Sequence, residues 1–361
     1  MKALKDIYTH KGIFRRLADD MKVAYPSLNK EMFYNSLIKN LHQLELKMRI
    51  ERAADTCHEY FPKNYRESIV ILNRFVKNKE NHFIYTFLPA FVAKYGAQDF
   101  DLSIAALRDF TQYSSSKFGV RTFLELDLKR TLNSMIDWAK SDNAHVRRLA
   151  SEGSRPRLPW AKKIDMLIEK PQLAWPILEK LRCDQDKYVQ KSVANHINDI
   201  SKDHPYWIVK KIKTWDSSDP STAWIIKHGL RGLIKSGNRE ALELFGYHKI
   251  PNVDLYDIKW EKSISKNDRW KFSLMIKSLN NRPQKCLVDY RIFFKKKNGK
   301  LMGKTFKLKQ FVLSKQHSVR LSGSYIFKDL TTRKHYFGTH AWQLLINGVE
   351  QKRYEFQYNN C

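Results

Sequence analysis

Cysteine is scarce in this chain. Four occur in 361 residues, at Cys57, Cys183, Cys286 and Cys361, and none forms a C-x-x-C pair. That spacing supports neither a zinc site nor a disulfide framework, so no metal is expected. Long apolar runs are missing as well, and nothing approaches the roughly 20 residues that span a bilayer. The opening stretch, MKALKDIYTHKGIFRRLADD, places charges where a secretory leader needs an apolar centre. No segment reads as a lipid-inserting amphipathic anchor. The expectation is a soluble protein with no membrane partner, in a reducing compartment that is cytoplasmic by default.

Acid is also in short supply. Against 66 Lys and Arg stand 37 Asp and Glu, a formal net charge of +29. Such an excess attracts a polyanion, nucleic acid first and a membrane surface second. A merely basic soluble protein is the plain alternative. Hydrophobic content of 42% and aromatic content of 13% supply packed cores and exclude global disorder. The length suggests two or three domains.

The hydropathy pattern changes near residue 250. Before it, apolar residues recur every three or four positions, as where Met32, Phe33, Leu37, Leu41 and Leu44 share one predicted helical face. Further helices are predicted over 64–78, 99–114, 129–140, 160–181, 187–200, 203–213, 221–236 and 239–245, with breaks at Pro62, Pro171, Pro205 and Pro220. Weak internal repetition relates NAHVRRLAS, DKYVQKSVAN and STAWIIKHGL, making Val146, Val189 and Ile225 equivalent. Their spacings, 43 and 36 residues, suit HEAT-like helical pairs stacked into a solenoid.

From about residue 254 the pattern alternates. Phe272, Leu274 and Ile276 share one face of a predicted strand, as do Cys286, Val288, Tyr290 and Ile292 of another. Asn-Gly pairs in FFKKKNGK and LINGVEQ predict two-residue hairpin turns. Six or seven short strands in a hundred residues suggest an immunoglobulin-like β-sandwich without the antibody cysteine pair. The expected fold is therefore mainly α: a HEAT-like helical-repeat solenoid over 1–250, then an immunoglobulin-like β-sandwich over 254–361.

One stretch stands out chemically. NAHVRRLASEGSRPRLPWA, from Asn143 to Ala161, crowds four arginines, two prolines and Trp160 around a single acid, Glu152. Glu152, Asn195 and Arg231 each lie six residues after Val146, Val189 and Ile225, so the repeat alignment aims all three into one groove. Asp199 lies one helical turn after Asn195. On the residues alone, Glu152 reads more readily as a surface ion-pair partner of Arg148 or Arg155 than as a catalytic acid. Asp199 reads as a helix-end hydrogen-bond acceptor, and Trp160 equally as a ring that stacks on a lesion or an opened duplex and as a core tryptophan anchoring the next helix. Arg147, Arg148, Arg155 and Arg157 suit bidentate phosphate contacts, one or two of them binding carboxylates instead. Arg231 and His228 are weaker candidates. His196 and His204 lack ligand spacing. Lys304, Lys307 and Lys309 make the tail basic.

HVRRLASEGSRPRLPWA, KYVQKSVANHINDISKDHP and IIKHGLRGLIKSG, in that order, resemble the AlkC branch of the AlkC/AlkD DNA glycosylases. The resemblance is close over about 140–240, and some members carry an immunoglobulin-like domain after the repeats. It implies a monofunctional, monomeric glycosylase without cofactor that excises cationic lesions such as 3-methyladenine and 3-methylcytosine from bent duplex DNA. It marks Glu152 and Asp199 as active-site acids that stabilise an oxocarbenium-like sugar and place water. It also moves Trp160 beside the lesion, where a ring face holds a cationic base; Arg147, Arg148, Arg155 and Arg157, with the groove residues Asn195 and Arg231, are then the expected DNA contacts. One position departs from the pattern. Where the branch typically reads EFAIRPF this chain reads KFGVRTF, so Lys117 replaces an active-site glutamate. That substitution sustains an alternative, a non-catalytic or weakened DNA-binding solenoid. A HEAT scaffold for an acidic protein is a more distant one.

Overall fold

The computed structural model describes residues 8, 11–247, 251–329 and 334–360. Sixteen α-helices precede eight strands among these residues. The chain's own contacts divide it into two units. One runs up to His204 and resumes over Thr214–Gly229; the other takes Pro205–Lys213 and the described residues from Leu230 onward.

In the first unit, α1 (Lys11–Ala24), α2 (Lys30–Ile38), α3 (Leu46–Tyr60) and α4 (Tyr65–Val76) open the helical array. Next come α5 (Phe87–Tyr95), α6 (Phe100–Phe110), α7 (Gly119–Leu126), α8 (Leu128–Trp138) and α9 (Ala144–Gly153). After these stand α10 (Asp165–Glu169), α11 (Trp175–Leu181) and α12 (Lys187–Ile200). Beyond α13 (Pro205–Ile212), which belongs to the second unit, α14 (Pro220–Gly229) completes the first. Helices stack on partners two or three elements away: α3 on α5, α5 on α7, α9 on α12, and α12 on α14. That alternation is what stacked two-helix HEAT-like repeats produce.

Three predicted helices differ. The face drawn through Leu44 is interrupted because Asn40 adopts a left-handed φ of 53°; Phe33, Leu37 and Leu41 are buried, while Met32 is exposed. The stretch 160–181 is a loop, α10, a 3-10 turn at Pro171–Leu173 and α11, because Pro159 and Pro171 deny backbone donors. The stretch 221–236 breaks after Gly229, and α15 (Arg231–Ser236) starts anew.

Helix capping corrects the third repeat. Asn143 caps α9, Asp186 caps α12, and Asp219 accepts from the Thr222 amide at the start of α14. Val146 and Val189 both stand three residues after their caps, whereas Ile225 stands six after its own. Glu152 and Asn195 each lie nine after the cap, and the matching residue in α14 is His228, not Arg231. Arg231 opens α15, in the second unit.

The second unit contains a β-sandwich. β1 (Val253–Trp260), β3 (Arg269–Ser278) and β6 (Ser318–Ile326) form one sheet in the order β1-β3-β6. The other contains β2 (Ser263–Ser265), β4 (Gln284–Lys295), β5 (Leu301–Leu313), β7 (Gly338–Ile346) and β8 (Val349–Asn359) in the order β2-β8-β7-β4-β5. Pairs are antiparallel except β2 with β8, as in immunoglobulin-like sandwiches whose first strand switches sheets. Phe272, Leu274, Ile276, Cys286, Val288, Tyr290 and Ile292 all enter its core, with Trp270 and Trp342 fully buried. Cys286 is a free thiol there, and Cys361 lies outside the described residues.

The two Asn-Gly turns differ. At Asn347-Gly348 both φ angles are positive, 48° and 79°, and Ile346 pairs with Val349, which is a two-residue type I′ hairpin. At Asn298-Gly299 only the glycine is left-handed, and the Lys296 amide donates to the Lys300 carbonyl across a longer turn. Gly348 has a second reason to lack a side chain. A Cβ there would lie 2.6 Å from the Cα of Gly237, the glycine that ends α15. This close approach fastens α15 and α16 (Arg239–Leu244) to the β7–β8 turn, so the expected division at 250–254 falls inside the second unit.

Candidate active site

The site forms where α9 packs on α12. Gly153 closes α9 against α7 and α8: a Cβ there would lie 2.6 Å from Val120 Cγ1 and 2.9 Å from Met135 Cε. The preceding residue, Glu152, meets α12, where the Ser192 hydroxyl donates to its Oε2 at 3.0 Å. Its Oε1 accepts from Arg155 Nη1 at 3.1 Å and lies 3.4 Å from Arg148 Nη2. Arg155 then reaches across the gap. Its Nε donates to Asp199 Oδ2 at 2.8 Å, and Lys202 takes Asp199 Oδ1 at 3.0 Å.

The two acids predicted from sequence are thus joined through one guanidinium. The ion pair read for Glu152 is present, but it is buried rather than on the surface: Glu152 is 6% exposed and Asp199 1%. Burying two carboxylates costs several kcal/mol each, a penalty offset only by well-placed partners. Arg155, itself buried, serves both.

The other arginines of the stretch also have carboxylate partners. Arg147 pairs bidentately with Asp184, at 2.6 and 3.2 Å. Arg157 pairs with Asp203, at 2.8 and 2.7 Å. Arg148 donates to Ser115 Oγ at 2.7 Å and lies over the Tyr188 ring at 4.8 Å. Arg147 and Arg157 retain partial exposure, whereas Arg148 and Arg155 are buried.

Trp160 is not a core anchor. Its ring is 88% exposed and its φ is +66°, a left-handed conformation that bulky residues avoid. The loop that presents it is held from below by Arg121. Through Nη1 this residue donates to the carbonyls of Gly153 and Arg155, and through Nη2 to that of Lys162. Burial lowers the pKa of Arg121 to about 10. Sequence reasoning missed Arg121, although it stands within KFGVRTF at the arginine the AlkC pattern shares. Ser192 and Ser115 carry no signal in sequence, because only packing gives a serine its acid or arginine.

Lys117 is half-buried just before α7. Its ammonium lies 5.0 Å from the Phe118 ring centroid. Desolvation and the charge of Arg148 lower its pKa, opposed by Glu152, and Arg155 adds to the lowering.

Asn195 is half-buried one turn before Asp199 on α12. His228 stacks on Trp224 at 3.7 Å and shares a hydrogen bond with its carbonyl. His196 is fully buried against the Ser151 carbonyl, and desolvation lowers its pKa to about 4. His204 contacts the Ile168 carbonyl at 2.6 Å. Lys304, Lys307 and Lys309 are exposed on β5, the edge strand, where lysine also discourages strand pairing.

Residues 91–233 match the family described as DNA alkylation repair enzyme. Residues 257–360 match the C-terminal Ig-like domain of the uncharacterised protein YhaZ. Over 362 residues, covering 99% of each protein, the chain is 40% identical to the uncharacterised protein YhaZ of Bacillus subtilis. A solved structure of the alkylpurine DNA glycosylase AlkC of Pseudomonas fluorescens, bound to DNA containing an abasic-site analogue, is also similar. It is 38% identical, matches 99% of this chain and 100% of that one, and superposes with a TM-score of 0.93. The helical repeats, the sandwich that follows them and these two full-length likenesses agree, and the chain belongs to the AlkC branch of the DNA alkylation repair enzymes.

Proposed function

We propose that this protein is a DNA glycosylase of base excision repair. It hydrolyses the N-glycosidic bond of cationic alkylated bases, 3-methyladenine and 3-methylcytosine, in duplex DNA. The observation that carries the reading is the buried Glu152–Arg155–Asp199 bridge beside the exposed, strained Trp160, in a chain that superposes closely on a DNA-bound glycosylase.

A base methylated on its ring carries positive charge and leaves as a neutral molecule, so no general acid is required. The C1′–N bond breaks with its electron pair going to the base, and positive charge collects on the sugar. Glu152 and Asp199 stabilise that charge from a poorly hydrated position, where a carboxylate acts most strongly. Water then adds at C1′, and one of the two carboxylates takes its proton. The role of Arg155 is to hold both acids in place, as their shared hydrogen-bond donor, before DNA arrives. Trp160 meets the lesion with its ring face. The partly exposed Arg147 and Arg157, with Arg148 and Asn195, contact the DNA, and the charge of +29 makes that binding salt-sensitive.

The test is base release from duplex DNA carrying each lesion. Glu152→Gln and Asp199→Asn should each lower the rate about 100-fold or more, as losing a preorganised electrostatic partner does. Unchanged rates in both variants would sink the assignment. A second reading, DNA binding without catalysis, is favoured by Lys117, whose charge opposes a cationic sugar. It predicts tight binding to methylated DNA with no base release, and any turnover by the unaltered protein excludes it.

A further inference from the structure

The segment between α9 and α10 is a loop with a closed base. Its feet are Arg155 and Lys162, and one guanidinium holds both. Arg121 Nη1 donates to the Arg155 carbonyl at 2.8 Å, and Nη2 to the Lys162 carbonyl at 2.5 Å. Nη1 also reaches the Gly153 carbonyl at 3.1 Å, one of those that the end of α9 leaves without a helical partner. α7 comes close enough because Gly153 has no side chain to hold Val120 away. The loop is also tied across itself. The Ala161 amide donates to the Leu158 carbonyl at 3.3 Å, and the Ile164 amide to the Pro156 carbonyl at 3.2 Å. Pro156 and Leu158 are buried, while the tip turns Trp160 outward in its left-handed conformation.

An exposed tryptophan in a strained backbone adds nothing to a core, and a buried guanidinium is costly to desolvate. Both are maintained at one place. The foot at Arg155 is the residue whose side chain spans Glu152 and Asp199, so the loop starts from the acid pair itself. We propose that Arg121 is a positioning residue for base excision that acts through Trp160: by closing the loop it fixes where the ring stands relative to Glu152 and Asp199. The inference rests on the glycosylase reading above. Arginine suits the task because its planar fork carries donors on two terminal nitrogens, so one side chain holds both feet. A lysine ammonium is a single point and holds one. With a foot released, the ring and the acids are all present, but the ring no longer meets the lesion in a fixed orientation to the acids. The chemical step loses that orientation. Binding to DNA, set mainly by charge, remains.

The experiment measures single-turnover base release from methylated duplex DNA at saturating protein, using the full chain, Arg121→Lys, Trp160→Asn and the double variant. Arg121→Lys should lower the rate about tenfold or more. Its affinity for unmodified duplex DNA should stay within about twofold of the parent. The double variant should match Trp160→Asn alone to within about twofold, since a residue that acts through the ring has nothing left to do without it. A residue that only supports the fold would slow both backgrounds equally. Hydrogen exchange reads the loop directly. In Arg121→Lys the Ala161 and Ile164 amides should exchange about tenfold faster or more, while amides inside α9 and α12 keep their protection. If that variant does not fold, the same two amides in the unaltered protein decide, because a loop clamped at both feet protects them. Multiplying effects in the double variant, an undiminished rate in Arg121→Lys, or open-chain exchange of the loop in the unaltered protein overturns the inference. No base release by the unaltered protein overturns the glycosylase reading and this inference with it. Release with multiplying effects overturns this inference alone.

Discussion

The Nε of Arg155 donates to Oδ2 of Asp199 at 2.8 Å, across 44 positions of sequence. The same guanidinium reaches Glu152 at 3.1 Å, so one positive charge compensates two buried negative ones. Arg155→Met leaves both carboxylates in a poorly solvated site without their shared partner. Stability should fall by about 3–5 kcal/mol, the usual cost of breaking a buried pair. Adding Asp199→Asn and Glu152→Gln to that variant should recover part of the loss. Urea unfolding of the three proteins measures both effects, and a wild-type midpoint for Arg155→Met would show that the bridge is not a structural necessity.

Ser192 aims Glu152 by donating to its Oε2 at 3.0 Å. Ser192→Ala should lower base release about tenfold and cost about 1.5 kcal/mol of stability, in the range for a hydrogen bond to a charged group. DNA affinity should not change, because the hydroxyl contacts no phosphate in this reading. Binding that weakens in proportion to the rate would mean that Ser192 acts on the DNA instead.

Trp160 combines 88% exposure with a φ of +66°. Asparagine tolerates that backbone better than tryptophan, and a left-handed non-glycine residue costs about 1–2 kcal/mol. Trp160→Asn should therefore leave the melting temperature unchanged or raised while reducing excision of methylated bases at least tenfold. A drop in stability with intact excision would return Trp160 to a structural role.

His196 gives a pH prediction with a definite sign. Burial lowers its folded pKa to about 4, below the ordinary value of 6.5. Between those values the unfolded chain binds the extra proton, so stability is complete above about pH 6.5 and declines as the pH falls toward 4. The contribution at stake is about 3 kcal/mol. Unfolding free energies at pH 7 and pH 5 should differ less in His196→Gln than in the parent. Equal slopes in the two proteins would mean that the ring is hydrated in the folded state.

Much of the fold was legible because burial is written in periodicity. The three-to-four spacing before residue 250 and the alternation after it correspond to the helices and to the inward faces of β3 and β4. Caps were legible as well, and reading Asn143, Asp186 and Asp219 as caps would have aligned the third repeat on His228. Apolar spacing alone does not do so, since Ile225 and Thr222 are both buried and one turn apart. The breaks at Asn40 and after Gly229 were missed because single residues of ordinary type made them. The close approach of Gly237 and Gly348 left no mark in the pattern, because it depends on two backbones meeting in space.

At the site, the sequence by itself determined the inventory: two acids, an arginine-rich turn, an adjacent tryptophan and a lysine in KFGVRTF. Covalent order places these residues on α9, on α12 and in the loops beside them, and the net charge predicts the kind of partner. Only the tertiary structure decided which charge meets which. A carboxylate has many arginines within reach along a chain, and stacking α9 on α12 selects Arg155 as the one that spans Glu152 and Asp199. The same stacking buries that pair and turns Trp160 outward on a loop held by Arg121. Sequence supplies the groups; desolvation and distance, which exist only after folding, set what each can do.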